Sequence, residues 1–206
     1  MRIYTKAGDK GQTKLCNGEK ISKDSLIVGL YGDLDELNAH IGFVIAINKN
    51  EKINNILQKI QKDIFVLGAN ILRNSNNCKN SSRLTKSDNN ENSAKKQKEC
   101  SCEKNLERCQ DPPSKFDKNN IDYLEQEIDK ISGSLSPINR FILPSGSKTA
   151  TSLHIARTVC RKAERTCVAL SENREISKYA IPYLNRLSDL LFVLARYVNK
   201  SKDIFA

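Results

Sequence analysis

The sequence predicts an all-α protein, a bundle of five helices, and three observations carry that prediction. Apolar residues recur at helical spacing through five separate stretches. Strand signals are weak and short, confined to places such as Arg2 to Thr5. One stretch, residues 156–165, repeats arginine every fourth residue, at 157, 161 and 165, so a helix would gather its charge on one side. A chain of 206 residues with 38% hydrophobic content is long enough to bury one domain-sized core.

The elements follow in order. Residues 34–47 form the first helix, and Asp33 with Glu36 three positions on has the spacing of a capping box, so the helix is expected to open there. Ile53, Ile56, Leu57, Ile60, Ile64 and Leu67 keep the 3, 4, 7 spacing of a core-facing second helix. Ile121 to Ile131, Ser147 to Leu170 and Ile176 to Val198 supply the other three. Between the second and third helices, residues 73–117 are rich in Asn, Ser and Lys and stop at Pro112-Pro113. Almost nothing there can be buried, so this is read as a disordered or loosely ordered insertion in a single domain spanning 1–206.

In the fourth helix Arg157, Arg161, Arg165 and Glu164 fall on one face, with Ile155, Val159, Ala163, Thr166 and Leu170 opposite. The apolar stripe is thus directed into a core while the arginines look outward or across an interface. Three stacked guanidinium groups make an anion site, although a simply solvated charged face has the same spacing. The net charge of +10 agrees with an anionic ligand but does not choose among nucleotides, polyphosphates, acidic lipids and nucleic acid. The 73–117 segment holds ten basic and seven acidic side chains, so the remainder keeps +7.

No apolar run reaches about 18 residues, and the N-terminus lacks a signal-peptide core or an Arg/Ser-rich transit helix. The expectation is a soluble intracellular protein with no membrane partner: cytoplasmic, or mitochondrial if a presequence has been removed. The seven cysteines, at 16, 78, 100, 102, 109, 160 and 167, are odd in number and lack framework spacing, which argues for reduced thiols. Cys160 and Cys167 read as small buried hydrophobes. Cys100 and Cys102 form the one close pair, a spacing wrong for paired zinc knuckles, and no metal ligands are assigned.

Three motifs carry the chemistry. In Tyr4-Thr-Lys-Ala-Gly-Asp-Lys-Gly-Gln-Thr13, two glycines let the backbone turn tightly while hydroxyls, amides and ammonium groups converge as a polyphosphate requires; a flexible basic N-terminus with a turn would read the same. No G-x-x-x-x-G-K-[ST] exists, since Ser145-Gly-Ser-Lys-Thr149 lacks the first glycine and the Gly-Lys pair, so a P-loop is excluded. The second motif is Tyr31-Gly-Asp-Leu-Asp-Glu-Leu-Asn38. The third runs from Phe141-Ile-Leu-Pro-Ser-Gly-Ser147 through Leu153-His-Ile-Ala-Arg157 and the arginine helix to Tyr183-Leu-Asn-Arg-Leu-Ser-Asp189.

In this order, over about residues 2–72 and 118–206, these runs closely resemble the ATP:cob(I)alamin (ATP:corrinoid) adenosyltransferases of the propanediol-utilisation type, including their mitochondrial members. The resemblance implies a five-helix bundle that assembles as a homotrimer, with ATP and corrinoid bound where subunits meet. It implies transfer of the 5′-deoxyadenosyl group of ATP to the cobalt of cob(I)alamin, giving adenosylcobalamin and triphosphate, with Mg²⁺ on the leaving group. It places ATP binding on Thr5, Lys6, Gly8, Asp9, Gly11, Gln12, Thr13, Arg161, Glu164 and Asn185, and the catalytic set on Asp35, Arg157 and Arg161. Arg161 is expected to grip the triphosphate, and Arg157 to pair with Asp35 across the subunit junction. Glu164 is expected to orient its neighbours or accept from a Mg²⁺-bound water. Phe141 matches a phenylalanine that lies over the corrin, although from its own sequence context it would be read as core. Two positions depart from the family: Lys162 stands where many relatives have a second arginine, and Ser145 where they commonly have glycine. A reductase or a cobalamin-dependent acceptor enzyme would be a partner. An RNA-binding module would want stacking aromatics near the arginines, which are missing, so no nucleic acid is expected. A helical scaffold leaves Gly8, Asp9 and Gly11 unexplained, and another ATP-dependent transferase on the same bundle is the remaining rival.

Overall fold

Ile27, Leu30, Leu34, Leu37, Ile41 and Val44 alternate steps of three and four, and the first helix follows that stripe over its whole length, α1 (Leu26–Ile47). The computed structural model describes residues 4–15, 18–71, 115–200 and 204–205. Helix α1 therefore begins two turns before the expected start. Asp33 and Glu36 lie inside it and cap nothing; Ser25 is the N-cap residue. The glycines at 29 and 32 imitate a turn in the sequence, but both sit on an open helix surface. The two carboxylates are instead engaged by α4, as described below.

Helix α2 (Glu51–Ile71) continues one turn past the predicted Leu67. Helix α3 (Lys118–Ser132) opens on a capping box, with Asp117 accepting from the Asn119 amide and Asn120 returning a bond to the Asp117 N–H. Helix α4 (Lys148–Ser171) starts where expected, because Ser147 Oγ accepts from Ala150 N at 3.2 Å. Helix α5 (Ala180–Val198) starts one turn later than predicted, with Pro182 in the first turn, where its missing N–H breaks no helical bond. Helix α4 is the hub: it packs on α1 along one side and α5 along the other, while α3 covers α5 and α2 lies on α1 and touches α5. The centre is filled by Leu37, Ile41, Leu57, Ile60, Leu153, Leu184 and Leu187, all fully buried. Truncating one of these to alanine costs about 2–5 kcal/mol.

Most of the insertion, residues 72–114, lies outside the described residues, as do Cys16, Cys78, Cys100, Cys102 and Cys109. Its far boundary is corrected: Phe116 is buried and meets the Tyr183 ring edge-on at 5.0 Å, so the folded bundle resumes before Asp117. The expected strand at Arg2 to Thr5 is not found at Tyr4 and Thr5, and residues 2 and 3 lie outside the described set. The strands that do form are short: β1 (Gln12–Lys14) and β2 (Lys20–Ser22), antiparallel with Thr13 opposite Ile21. Glu19, beside β2, accepts from Arg174 at 2.9 and 3.4 Å, tethering the hairpin to the α4–α5 turn. None of the described helices is long and apolar enough to cross a membrane.

Candidate active site

The arginine stripe of α4 exists, with one correction to its opposite face. Val159, Ala163 and Leu170 are buried as expected, whereas Ile155 is 44% exposed and Thr166 is half-buried and polar in its contacts. Arg161 and Arg165 are exposed; Arg157 is half-buried. Burial first, and the neighbouring Arg161 guanidinium second, push the Arg157 ionisation below the ordinary arginine value. Arg157 Nε is shielded from solvent and has no hydrogen-bond partner among the described residues. A guanidinium held at that cost is poised for an acceptor from outside the chain.

Two turns further along α4, Glu164 is brought to Asn185 of α5, with Asn185 Nδ2 donating to Glu164 Oε1 at 3.1 Å. Arg186 Nη1 donates to Asn185 Oδ1 at 2.7 Å, and Arg186 Nε donates to Glu125 Oε1 of α3 at 2.9 Å. A polar chain thus crosses three helices and ends on the arginine face.

Lys162 turns away from that face. Its ammonium lies 3.1 Å from Asp33 Oδ1 and also pairs with Glu36, and the bonds it donates to Glu36 and Asp33 raise its pKa. The Thr166 hydroxyl adds a 2.7 Å bond to Asp33 Oδ2. The lysine at this position therefore clasps α1 to α4 and needs no guanidinium fork. The clasp also explains why Asp33 and Glu36 can stand within a helix.

Asp35, on the next face of α1, is exposed and forms no ion pair among the described residues. With Thr13 of β1 it lines a groove of about 510 Å³ between α1, α2 and the hairpin, whose other walls include Tyr31, Asn38 and Phe65. The N-terminal loop precedes this groove. Its backbone turns through Asp9 N to Lys6 O and Gly11 N to Gly8 O, with Lys6 at φ 58° and Gly11 at φ 75°. Thr5, Lys6, Asp9, Gly11 and Gln12 are exposed, and Gly8 and Thr13 are partly so. Within one chain, the described hydrogen bonds hold this loop to itself and to Lys23, and none joins it to Arg157 or Arg161.

Phe141 is 89% exposed, which overturns the core reading that its context suggests. It sits in the loop before α4, and that loop is clamped by a residue the sequence did not single out. Asn199 Nδ2 donates to Ser145 O at 3.0 Å, while its Oδ1 accepts from Ser147 N at 3.0 Å. Gly146 between them has φ 114°, and a Cβ there would come within 2.2 Å of the Asn199 amide. Glycine at 146 alone thus meets the turn's need, and Ser145 is tolerated. Leu143 N also donates to Ile204 O at 2.8 Å, so the C-terminal segment braces the same loop.

The profile of the cobalamin adenosyltransferase family matches residues 3–198. The corrinoid adenosyltransferase of Mycobacterium leprae is 35% identical, over 98% of this chain and 94% of its own length. The corrinoid adenosyltransferase MMAB of Bos taurus is 37% identical, over 95% of this chain and 70% of its own. Among solved structures, a variant PduO-type ATP:corrinoid adenosyltransferase from Lactobacillus reuteri, complexed with cobalamin and ATP, superposes with a TM-score of 0.76 at 27% identity, covering 100% of this chain and 96% of that one. The stacked arginines of α4, the Glu164–Asn185 pair beside them and the clamped 141–147 loop are thus features of a chain that belongs to the cobalamin adenosyltransferase family.

Proposed function

We propose that the protein transfers the 5′-deoxyadenosyl group of ATP to the cobalt of cob(I)alamin, forming adenosylcobalamin and releasing triphosphate. The electron pair of reduced cobalt attacks C5′, the cobalt–carbon bond forms, and the C5′–oxygen bond breaks with its electrons leaving on the triphosphate. No proton need be removed, so the chain's task is to hold the triphosphate, align C5′ and keep water from the cobalt. The observation that carries this reading is the α4–α5 wall. There Arg157 and Arg161 have no ion-pair partner among the described residues, while Glu164 and Asn185 are already tied to each other on the same wall.

In this reading Arg161 binds the triphosphate, and Thr5, Lys6, Gly8, Asp9, Gly11, Gln12 and Thr13 close over ATP with their amides and hydroxyls. Phe141 offers its exposed ring to the corrin. Asp35 and Arg157, each without an ion-pair partner among the described residues, are the two halves of a contact between subunits, and a homotrimer would supply it in a ring of like interfaces. Mg²⁺ fits as a companion of the nucleotide. Among the described residues no three metal-binding side chains converge, and this cation is commonly held by phosphates, waters and one or two carboxylates. Glu164 is the carboxylate that would accept from one of those waters; the cation would neutralise charge on the leaving group. A reductase that supplies the reduced corrinoid and a cobalamin-dependent enzyme that receives the product are the expected partners, in the cytoplasm or a mitochondrion.

The test mixes purified protein, ATP and chemically reduced corrinoid, and follows phosphate products alongside the corrinoid spectrum. Triphosphate should appear in step with a light-sensitive alkylcobalamin. Release of diphosphate or phosphate instead would assign the bundle to another ATP-dependent transfer.

A further inference from the structure

The polar chain described above has a member that touches neither α4 nor any proposed ligand, and it does something the rest of the chain needs. The two ends of an asparagine amide are nearly the same shape, so a lone Asn185 could present either an oxygen or an N–H to a bound nucleotide. Here both ends are specified: Glu164, an acceptor, takes one Nδ2 hydrogen at 3.1 Å, and Arg186, a donor, occupies Oδ1 at 2.7 Å. Arg186 is in turn oriented by Glu125 on α3, through Nε at 2.9 Å, with Asp189 at 3.9 Å on its Nη1. The side chains of Arg186 and Glu125 are 41% and 46% exposed, so the pair contributes little to stability while it fixes a geometry.

We infer that Glu125 is a positioning residue for nucleotide binding: by holding the Arg186 fork it locks the Asn185 amide in one orientation, leaving the second Nδ2 hydrogen free to donate to ATP. The inference rests on the reading of Asn185 as a nucleotide contact. It adds that the contact's polarity is set from α3, through a helix that does not otherwise enter the site. An unlocked amide spends part of its time with oxygen towards the nucleotide, so the cost falls on ATP capture rather than on the transfer step.

Steady-state kinetics on the full-length protein decide it, with ATP varied at saturating reduced corrinoid. Glu125→Ala should raise the KM for ATP about fivefold, leave kcat within about twofold, and leave the KM for corrinoid unchanged. Glu125→Gln keeps an acceptor oxygen for Arg186 Nε and should restore most of the loss. In an Asn185→Ala background, Glu125→Ala should have no further effect on ATP. An unchanged ATP KM in Glu125→Ala would overturn the inference, as would an equal loss with and without Asn185, or a fall in kcat with a matching fall in melting temperature. Asn185→Ala on its own separates the two layers. If it leaves the ATP KM unmoved, the nucleotide role of Asn185 falls and the positioning role with it; if it raises the KM but the Glu125 effect is additive, the positioning role alone is wrong.

Discussion

The α4–α5 wall and the N-terminal loop are both proposed to hold the same ATP, yet they are built in opposite ways. On the wall, side chains are tied across three helices before any ligand arrives, Glu164 to Asn185, Asn185 to Arg186 and Arg186 to Glu125, and behind it Lys162 ties α4 to Asp33 and Glu36 of α1. The loop from Thr5 to Gly11 is exposed, turns on residues with positive φ at 6 and 11, and leans on little besides Lys23. The contrast separates two tasks. Preorganised groups stabilise developing charge without reorganising, whereas a loop that must admit a nucleotide and then cover it gains from having few prior commitments.

The sharpest way to break this contrast is to remove charge from the wall. Arg161→Ala should lower turnover by about 10²- to 10³-fold with the fold intact, because the side chain is exposed and none of the core depends on it. Turnover within about threefold of the parent protein would strip Arg161 of its triphosphate role. Next comes the proposed junction between subunits: Asp35→Asn should weaken ATP binding about tenfold and shift the proposed trimer towards smaller species in light scattering. A variant that stays trimeric with unchanged ATP affinity would refute the pairing with Arg157.

The same substitution at two glycines sharpens the comparison further. Gly146→Ala meets both a φ of 114° and an Asn199 amide held by two hydrogen bonds, and should cost about 2–3 kcal/mol in urea unfolding. Gly8→Ala meets only the movable end of Lys23, at 2.7 Å, and should cost less than about 0.5 kcal/mol. Equal unfolding midpoints would show the two loops to be equally constrained. The smallest effect is expected from excising residues 76–112 with a short Gly/Ser joint. That sequence is too poor in apolar residues to support a core, so adenosyl transfer should stay within about twofold.

What could be read in advance follows the physics of each signal. The helices were legible because apolar spacing is imposed by the core, and α4 and its Ser147 start came through intact. The α1 start was misread because Asp33 and Glu36 have capping chemistry, and nothing local reveals that Lys162 and Thr166, more than a hundred residues later, claim them. Phe141 was misread from context because hydrophobicity does not say which side of a loop faces outward. Asn199 carried no local signal, since its two bonds reach back 52 and 54 residues. Arg186 lies in the Tyr183–Asp189 motif, but its partner on α3 comes from folding alone. The site residues are local in sequence; what orients them is not.

The interior of α4 holds one more consequence, for coordination chemistry. Cys160 lies one residue before Arg161, fully buried, with its thiol donating to Leu184 O at 3.3 Å. Burial pushes its pKa far up, and pushes that of Cys167 up to about 11. Burial thus keeps both thiols protonated at neutral pH. A thiol binds a soft metal only as the thiolate, and neither of these can deprotonate without carrying charge into the core. Kept protonated and away from solvent, they serve as packing and are closed to coordination chemistry.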